Sequence, residues 1–339
     1  MEQDNQKTLR ERPSFEGSAT DPAMTENREP KERGPHFGRR RVAETPFRQG
    51  PDSANDPIVQ AWNGVLFDKF TRFKHILTEG LSVHSRAWFA AHPAGKGQRI
   101  IDIGCGFGDT TIDLARAVGP EGFASGVDCA ENFIRASIND AKETGVGNIE
   151  FFVADVQAEP LRGPYDAAFS RFGTMFFASP VAALRNVRRS LRPGATFTQI
   201  VWRKREDNPW LHAAEQRVRQ IVPVVSHDQT DQVHCGPGPF SMAGPDMVSD
   251  ILGSAGFEKI RFERFDADIC IGQTVEEAVS FAMALGPAGE IIRLAGEEGQ
   301  RRTAHVIEAL RQVMEDFQRS DGSVWAPSST WFVECRCPY

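Results

Sequence analysis

The sequence predicts an α/β fold: a doubly wound, mostly parallel, Rossmann-like sheet of seven strands with helical additions that cap one edge. Three observations point to it. Short apolar segments alternate with amphipathic segments between residues 99 and 201. A glycine-rich turn follows the first apolar segment. An acidic residue lies at or just after the end of each of the first three apolar segments. Alternation of this kind is typical of parallel sheets with helices on both faces.

The N-terminal segment, residues 1–56, differs in composition from the rest. It contains six prolines, charges of both signs and few large apolar residues. Such a segment buries too little apolar surface to offset the entropy of ordering it, so a disordered tail is predicted. Its basic run Arg39-Arg40-Arg41 is interpreted as solvated, with an anionic partner as the alternative.

The ordered domain is predicted to span residues 57–339. Between Val59 and Leu77, apolar residues recur at three- and four-residue intervals, which indicates one amphipathic helix. A second helix is expected over 81–91. Both lie within a helical N-terminal part, residues 57–97, that ends at a Pro- and Gly-containing breaker.

Five strands and their helices are predicted over the ligand-binding core, residues 98–204. The predicted strands are 99–103, 122–127, 149–154, 165–170 and 196–201. The predicted helices are 110–118, 131–144 and 181–191, and Pro193-Gly194 is expected to stop the last of them.

The C-terminal half, residues 205–339, is less regular and is expected to carry insertions on the acceptor side. Helices are predicted over 209–221, 246–255, 275–285 and 300–318, and strands over 259–271 and 331–337. A loop between the first two helices holds a polar cluster: His227, Asp228, Asp231, His234 and Cys235. Its spacing matches no zinc pattern, so no metal site is predicted.

Charge and composition exclude several classes of protein. The net charge of -7 disfavours nucleic-acid binding, which depends on neutralising phosphates. No apolar run approaches the length of a membrane span, and the N-terminus lacks the apolar core of a secretory signal. The six cysteines show no paired metal spacing, which favours reduced thiols in the cytoplasm. The oligomeric state stays open.

The most specific motif is Asp102-Ile103-Gly104-Cys105-Gly106-Phe107-Gly108, between the first strand and the first helix. Glycines allow the backbone to turn tightly and approach a ligand, and the helix N-terminus favours a negative group such as a carboxylate. Asp102 is expected to accept a hydrogen bond from a ligand ammonium group.

Two further acids follow at informative distances. Asp128 ends the second strand 20 residues after Gly108, the usual place for a carboxylate that binds ribose hydroxyls. Asp155 follows the third strand and is expected to reach an adenine amino group. All three acids lie at carboxyl ends of strands, where open α/β sheets bind ligands. Their neighbours complete the predicted cofactor-binding set: Gly104, Cys105, Gly106, Gly108, Cys129, Val156 and Ser170.

These motifs resemble the class I S-adenosylmethionine-dependent methyltransferase family over roughly residues 58–205. IDIGCGFGD is similar to its first motif, GVD to its second-strand acid and VADV to its adenine-side motif. The resemblance is closest to the ubiquinone/menaquinone C-methyltransferase-like group and includes SRFGTMFFASPVAALRNVRRSLRPGA and GPGPFSMAGPDMVSDILGSAGF. It implies S-adenosylmethionine as cofactor, and it implies that the helical segment 57–97 is a lid over the site.

Two alternatives of other classes remain. A nicotinamide-dependent oxidoreductase would carry GxGxxG, but counting from Gly104 the third glycine is replaced by Asp109. A regulatory protein that binds the cofactor without turnover is the second alternative.

The acceptor side is predicted more loosely. The expected acceptor is a small molecule, aromatic or partly apolar, and the acceptor atom stays open. Arg171 after the fourth strand is a candidate for holding an anionic acceptor, with a structural ion pair as the alternative. His75 and His84 are candidate bases. Several aromatic and apolar residues are expected either to line the acceptor pocket or to belong to the core: Trp62, Phe67, Phe70, Phe73, Phe172, Met175, Phe176 and Phe177.

Overall fold

A sheet of seven strands forms the centre of the molecule. The computed structural model describes residues 56–222 and 237–339. The strands are β1 (Arg99–Ile103), β2 (Phe123–Asp128), β3 (Ile149–Val153), β4 (Tyr165–Arg171), β5 (Leu191–Trp202), β6 (Glu258–Gly272) and β7 (Val324–Arg336). Their order is β3-β2-β1-β4-β5-β7-β6. Strands β1 to β5 pair in parallel and β7 is antiparallel to both its neighbours, which confirms the predicted fold class.

Helices flank the sheet. In chain order, the helices of the described residues are α1 (Asp56–Asn63), α2 (Val65–Arg72), α3 (Ser82–Ala91), α4 (Asp109–Val118), α5 (Glu131–Thr144), α6 (Pro180–Arg189), α7 (Pro209–Ile221), α8 (Pro245–Ala255), α9 (Val275–Leu285), α10 (Pro287–Leu294) and α11 (Gly296–Glu315). A π-helical turn, Ile76–Gly80, joins α2 to α3. Within the described ranges, no helix combines the length and apolar character needed to span a bilayer.

Alternating strand residues pack on opposite faces of the sheet. Ile100 belongs to a buried cluster with Trp88 of α3 and Leu114 of α4. Its neighbour Ile101 belongs to the larger cluster that includes Leu184 of α6. Because both faces are covered, the strands are apolar throughout, as is usual for parallel sheets. The carboxyl ends of β1 to β4 meet at one edge, where the predicted site residues lie.

The N-terminal segment is broken where the sequence predicts one continuous helix. α1 ends at Asn63 and α2 begins at Val65, because Gly64 has φ of -119° and ψ of -109°, far from helical values. The prediction of a single helix over 59–77 is therefore wrong. The apolar periodicity extends across the break because residues from both sides of it pack against one cluster that includes Phe107 and Phe133: Trp62, Phe67, Phe70 and Leu77.

Strand β5 is longer than predicted. The sequence places Pro193-Gly194 at the end of a helix, but α6 ends at Arg189 and β5 already begins at Leu191. The pairing with β4 shifts from Tyr165↔Leu191 to Ala167↔Thr196, so the intervening residues bulge out of the ladder. A bulge tolerates proline, which cannot donate to the ladder. The C-terminal strands are also longer than predicted, and α10 is not predicted.

Two expectations lie outside the described residues. One is the disordered tail, which includes the basic run 39–41. The other is the polar cluster between residues 227 and 235. The division of residues 57–339 into lid, core and acceptor-side half stays a prediction.

Candidate active site and cofactor cavity

The glycine-rich loop crosses the carboxyl edge of the sheet between β1 and α4. Gly104 and Gly106 have φ of +66° and +53°, a region that residues with a Cβ adopt only at a cost. The amides of Gly104 and Cys105 both donate to the carbonyl oxygen of Val127, at 2.9 and 3.0 Å. These bonds hold the loop against the end of β2.

Gly104 also packs directly on the segment that follows β4. A Cβ on Gly104 would lie 3.0 Å from the Cα of Gly173, and a Cβ on Gly173 would lie 2.8 Å from the carbonyl oxygen of Ile103. Neither position has room for a side chain. The backbone contact therefore joins the glycine loop to the end of β4.

Asp128 supports the same loop from β2. Its Oδ2 accepts a hydrogen bond from the Gly106 amide at 3.1 Å, and its Oδ1 accepts one from the Ala130 amide at 3.0 Å. Burial raises the pKa of this carboxyl, and the backbone hydrogen bonds oppose that shift. Because each carboxylate oxygen can accept more than one hydrogen bond, Asp128 retains capacity for ligand hydroxyls.

Asp155 lies beyond the end of β3. Its Oδ1 accepts from the backbone amide of Gln157 at 2.9 Å and from the side-chain amide of the same residue at 3.3 Å. These contacts fix the carboxylate at the mouth of the cavity. Val156 beside it is buried and supplies an apolar surface.

Seven residues of the predicted cofactor set line a single cavity: Gly104, Cys105, Gly106, Asp128, Cys129, Asp155 and Val156. The structure thus brings the glycine loop and two of the three acids together. Burial raises the pKa of both thiols well above the usual range, so Cys105 and Cys129 are protonated.

The other three predicted residues, Asp102, Gly108 and Ser170, are not among those lining the cavity. Asp102 lies beneath the loop, 1% exposed, and its Oδ2 accepts from the hydroxyls of Thr110 and Thr111 at 2.6 and 2.7 Å. These bonds tie Oδ2 to the first turn of α4, whereas Oδ1 has no hydrogen-bond partner within the described residues, and the contact with an ammonium group stays a prediction. Ser170 is likewise buried and donates to the carbonyl oxygen of Ile103 at 2.8 Å.

Arg171 is the cationic side chain of the cavity wall. Its Nη2 lies 2.8 Å from a carboxylate oxygen of Asp109, at the start of α4. The same guanidinium lies 3.3 Å from the Ser85 hydroxyl and 3.5 Å from the carbonyl oxygen of Leu77. Arg171 therefore connects the core to the N-terminal helical segment, which favours the structural reading without excluding contact with an acceptor.

The candidate bases lie elsewhere. His75 faces a separate surface cleft, and its Nε2 is 2.9 Å from a carboxylate oxygen of Glu277. His84 is fully buried, with both ring nitrogens hydrogen-bonded to side chains of β7. Burial, together with the nearby Arg171, lowers the pKa of His84 to about 3. A buried imidazole of this kind does not accept a proton near neutral pH, so the expectation of a catalytic base at His84 is corrected.

The remaining wall is apolar. Trp62 packs edge-on against Phe70 and Phe176, with ring centroids 5.2 and 4.9 Å apart. These three rings line the cavity with Phe172 and Phe177. Three residues expected as possible lining belong to packed clusters behind the wall: Phe67, Phe73 and Met175.

Sequence reasoning missed several residues of the cavity wall, among them Asp109, Phe107 and Phe133. Asp109 carried a signal, since it is the first residue of α4 and occupies the position where a dinucleotide fingerprint has glycine. Phe107 and Phe133 carried none, because an aromatic residue beside a glycine or inside a helix is more often simply buried.

The amino-acid sequence of this chain is similar to those of known proteins. A family model described as a methyltransferase domain matches residues 94–237. The chain is 24% identical over 174 residues to the demethylmenaquinone methyltransferase of Listeria welshimeri, covering 49% of this chain and 73% of that enzyme. It is 25% identical over 244 residues to the ubiquinone/menaquinone biosynthesis C-methyltransferase of Yersinia pestis, covering 69% and 93%.

The matched domain and these relatives together decide the activity. This chain is an S-adenosylmethionine-dependent methyltransferase. The methyltransferase is also similar in structure to the YcgJ protein of Bacillus subtilis, with 16% identity, a TM-score of 0.49, and coverage of 76% of this chain and 99% of that protein. Neither the oxidoreductase nor the regulatory alternative is supported by these relatives.

The cavity suits this cofactor. A sheltered glycine loop, two carboxylates and an apolar side share one space. Asp128 keeps free acceptor capacity, and no large side chain projects from the loop at Gly104 or Gly106. The cavity therefore offers carboxylate acceptors for hydroxyl and amino groups beside an apolar surface that suits a flat ring.

The buried Asp102 predicts a pH-dependent stability. Burial raises its pKa to about 6, above its value in the unfolded chain. The native state therefore binds the proton more tightly, and the free energy of unfolding falls as pH rises from about 4 to about 6. Relative to the wild type, Asp102→Asn should gain up to about 3 kcal/mol of stability between pH 4 and pH 7. Urea denaturation of both proteins across this range measures the difference, and a pH-independent difference contradicts the shift.

Proposed function

We propose that this methyltransferase transfers a methyl group to a small, aromatic and largely apolar acceptor. The observation that carries the proposal is the aromatic wall beside the glycine loop, formed by Trp62, Phe70, Phe172, Phe176 and Phe177. Aromatic side chains bind flat rings by edge-on and offset contacts, and they exclude water. A polar metabolite would leave its hydrogen-bonding groups unpaired against this wall.

The cofactor's placement follows from the carboxylates. We assign the ribose hydroxyls to Asp128, the adenine amino group to Asp155 and the adenine face to Val156. The methionine end lies along Gly104 to Gly106, near the start of α4. Asp102 ties β1 to the first turn of α4, and Ser170 ties the end of β1 to β4, so both stabilise the elements that flank the loop.

The bound cofactor supplies a methyl group activated by a positive sulfur. The chain has to align the acceptor with that methyl group and keep water out, and alignment alone accounts for a large part of the rate enhancement in such reactions. The ion pair of Asp109 and Arg171 lines the same cavity as the aromatic wall. Asp109 is placed to accept a hydrogen bond from an acceptor hydroxyl, and Arg171 to stabilise the oxygen as it becomes negative.

A hydroxylated ring is therefore the first candidate acceptor. The relatives from Listeria and Yersinia are named for demethylmenaquinone and for ubiquinone/menaquinone biosynthesis. A reduced quinone combines an apolar ring with hydroxyl groups, which matches both features of the wall. By the same comparison, ring carbon is the first candidate for the accepting atom.

The proposed setting of the enzyme is the cytoplasm, without a nucleic-acid partner. The cysteines of the described residues are all free thiols, which suits a reducing cytoplasm. The net charge of -7 disfavours a nucleic-acid partner.

The test is an acceptor panel. Enzyme and S-adenosylmethionine are incubated anaerobically with matched pairs: 1,4-dihydroxynaphthalene against naphthalene-1,4-disulfonate, and catechol against glucose. We expect methylated product, detected by mass spectrometry, with the hydroxylated apolar rings alone. Methylation of only the sulfonate or the sugar would contradict an apolar acceptor, and transfer to oxygen would contradict carbon as the acceptor atom.

A further inference from the structure

We propose that His84 is a positioning residue that holds the ring of Phe172 in place as the acceptor-side wall of the cavity. His84 itself is not among the residues that line the cavity, so it contacts neither the cofactor nor the acceptor. The inference rests on the proposed function only for its kinetic consequence, because the placement of Phe172 is a structural statement.

Phe172 has an unusual backbone. Its φ is +59°, a left-handed conformation that is uncommon for a bulky residue and costs free energy. In a regular strand, successive side chains point to opposite faces. Here Arg171, Phe172 and Gly173 all line the same cavity. The left-handed turn at Phe172 thus presents the guanidinium and the ring together.

Other groups must stabilise this conformation. The amide of Phe172 donates to the carbonyl oxygen of Ile200 at 2.9 Å. Its ring stacks on Trp202, with centroids 4.3 Å apart and planes at 16°. His84 meets both rings edge-on, at 5.8 Å from Phe172 and 5.7 Å from Trp202. The imidazole therefore packs against the edges of both stacked rings.

Two hydroxyls of β7 fix the imidazole. His84 Nε2 lies 3.0 Å from the hydroxyl oxygen of Ser328, and Nδ1 lies 3.1 Å from that of Thr330. Ser328 already donates its proton to the carbonyl oxygen of Ala267 at 2.6 Å, so it accepts from His84. The alternative acceptor for Thr330, the carbonyl oxygen of Phe265, is farther away at 3.3 Å.

These distances assign the tautomer. A neutral imidazole has one donor and one acceptor. Nε2 carries the proton and donates to Ser328, and Nδ1 accepts from Thr330. Burial and the positive charge of Arg171 both lower the pKa of His84 and outweigh the opposing effect of Asp266, so the ring is neutral. The orientation of the ring is therefore constant across the physiological pH range.

Three variants test the proposal. His84→Leu keeps the apolar volume and loses both hydrogen bonds, while leaving Ser328 and Thr330 their carbonyl acceptors. His84→Gln restores a donor towards Ser328. His92→Gln is the matched control, because His92 stacks on Trp88 outside the cavity.

The first readout needs no acceptor. Crystal structures of the variants are expected to show the Phe172 ring displaced from Trp202 in His84→Leu and retained in His84→Gln and His92→Gln. Binding of S-adenosylhomocysteine, measured by calorimetry, should stay within about twofold in all three, because the proposal leaves the cofactor loop unchanged. An unmoved Phe172 ring in His84→Leu would overturn the proposal whatever the activity.

The second readout is kinetic, with 1,4-dihydroxynaphthalene as the probe. His84→Leu should lower kcat by about 10- to 100-fold per folded enzyme, the usual effect of misaligned reactants, and His84→Gln should recover most of it. The decrease of kcat at low pH should be the same in wild type and in His84→Gln. Loss of that decrease in His84→Gln would identify His84 as a base and overturn the proposal. A wild-type enzyme inactive on the probe counts against the proposed acceptor, and the crystal structures then decide the role of His84.

Discussion

Asp128→Ala should weaken S-adenosylmethionine binding by about 10- to 150-fold, which corresponds to about 1.5–3 kcal/mol. Two losses contribute to this effect. The carboxylate no longer accepts from the ribose hydroxyls, and the amides of Gly106 and Ala130 lose the acceptor that holds the glycine loop in shape. The effect should therefore be at the upper end of the range for a single charged acceptor.

Calorimetric titration of the Asp128 variant with S-adenosylmethionine measures the loss. Glu143→Gln is a suitable control, because it removes a carboxylate from the exposed end of α5, away from the cavity. Its affinity should equal that of the wild type. Equal affinity in Asp128→Ala would remove Asp128 from the cofactor site.

Arg171→Met should reduce methyl transfer by about 100-fold or more, the effect expected when reacting groups lose their alignment. The guanidinium is 9% exposed and bonds Asp109 on one side and the N-terminal helical segment on the other. Its removal leaves the Asp109 carboxylate without this partner and frees the helical segment, which lines part of the cavity. Arg171→Lys should recover little, because an ammonium group cannot reproduce the planar fork of donors.

Steady-state kinetics and calorimetry together separate the causes. In Arg171→Met, kcat should fall while S-adenosylmethionine affinity changes by less than about tenfold, since the ribose and adenine contacts are elsewhere. Arg116→Met is the control, because Arg116 forms an exposed pair with Asp113 on the same helix as Asp109. Unchanged kcat in Arg171→Met would restrict Arg171 to a structural role.

Local signals in the sequence predict most of the sheet and half of the site. The strands around Ile101 and Val127 are short apolar runs between glycine- or proline-containing turns, so their positions follow from composition. Asp128 and Asp155 follow because a carboxylate directly after such a strand has to lie at the ligand-binding edge. These inferences need no knowledge of tertiary packing.

Other features depend on contacts between distant parts of the chain. The break at Gly64 and the course of β5 through Pro193 are set by packing against neighbouring elements, which local propensity does not contain. Burial of His84 arises from its contacts with β7, more than 240 residues away. The sequence does not predict that Asp102, near the end of β1, binds the hydroxyls of Thr110 and Thr111.

The most direct test of the central claim is a crystal structure of the methyltransferase with S-adenosylhomocysteine. The ribose hydroxyls should lie within hydrogen-bonding distance of the Asp128 carboxylate and the adenine amino group beside Asp155. The sulfur should face the wall formed by Arg171 and Phe172. An adenosyl group bound elsewhere, or a ribose turned away from Asp128, would contradict the assignment of this cavity.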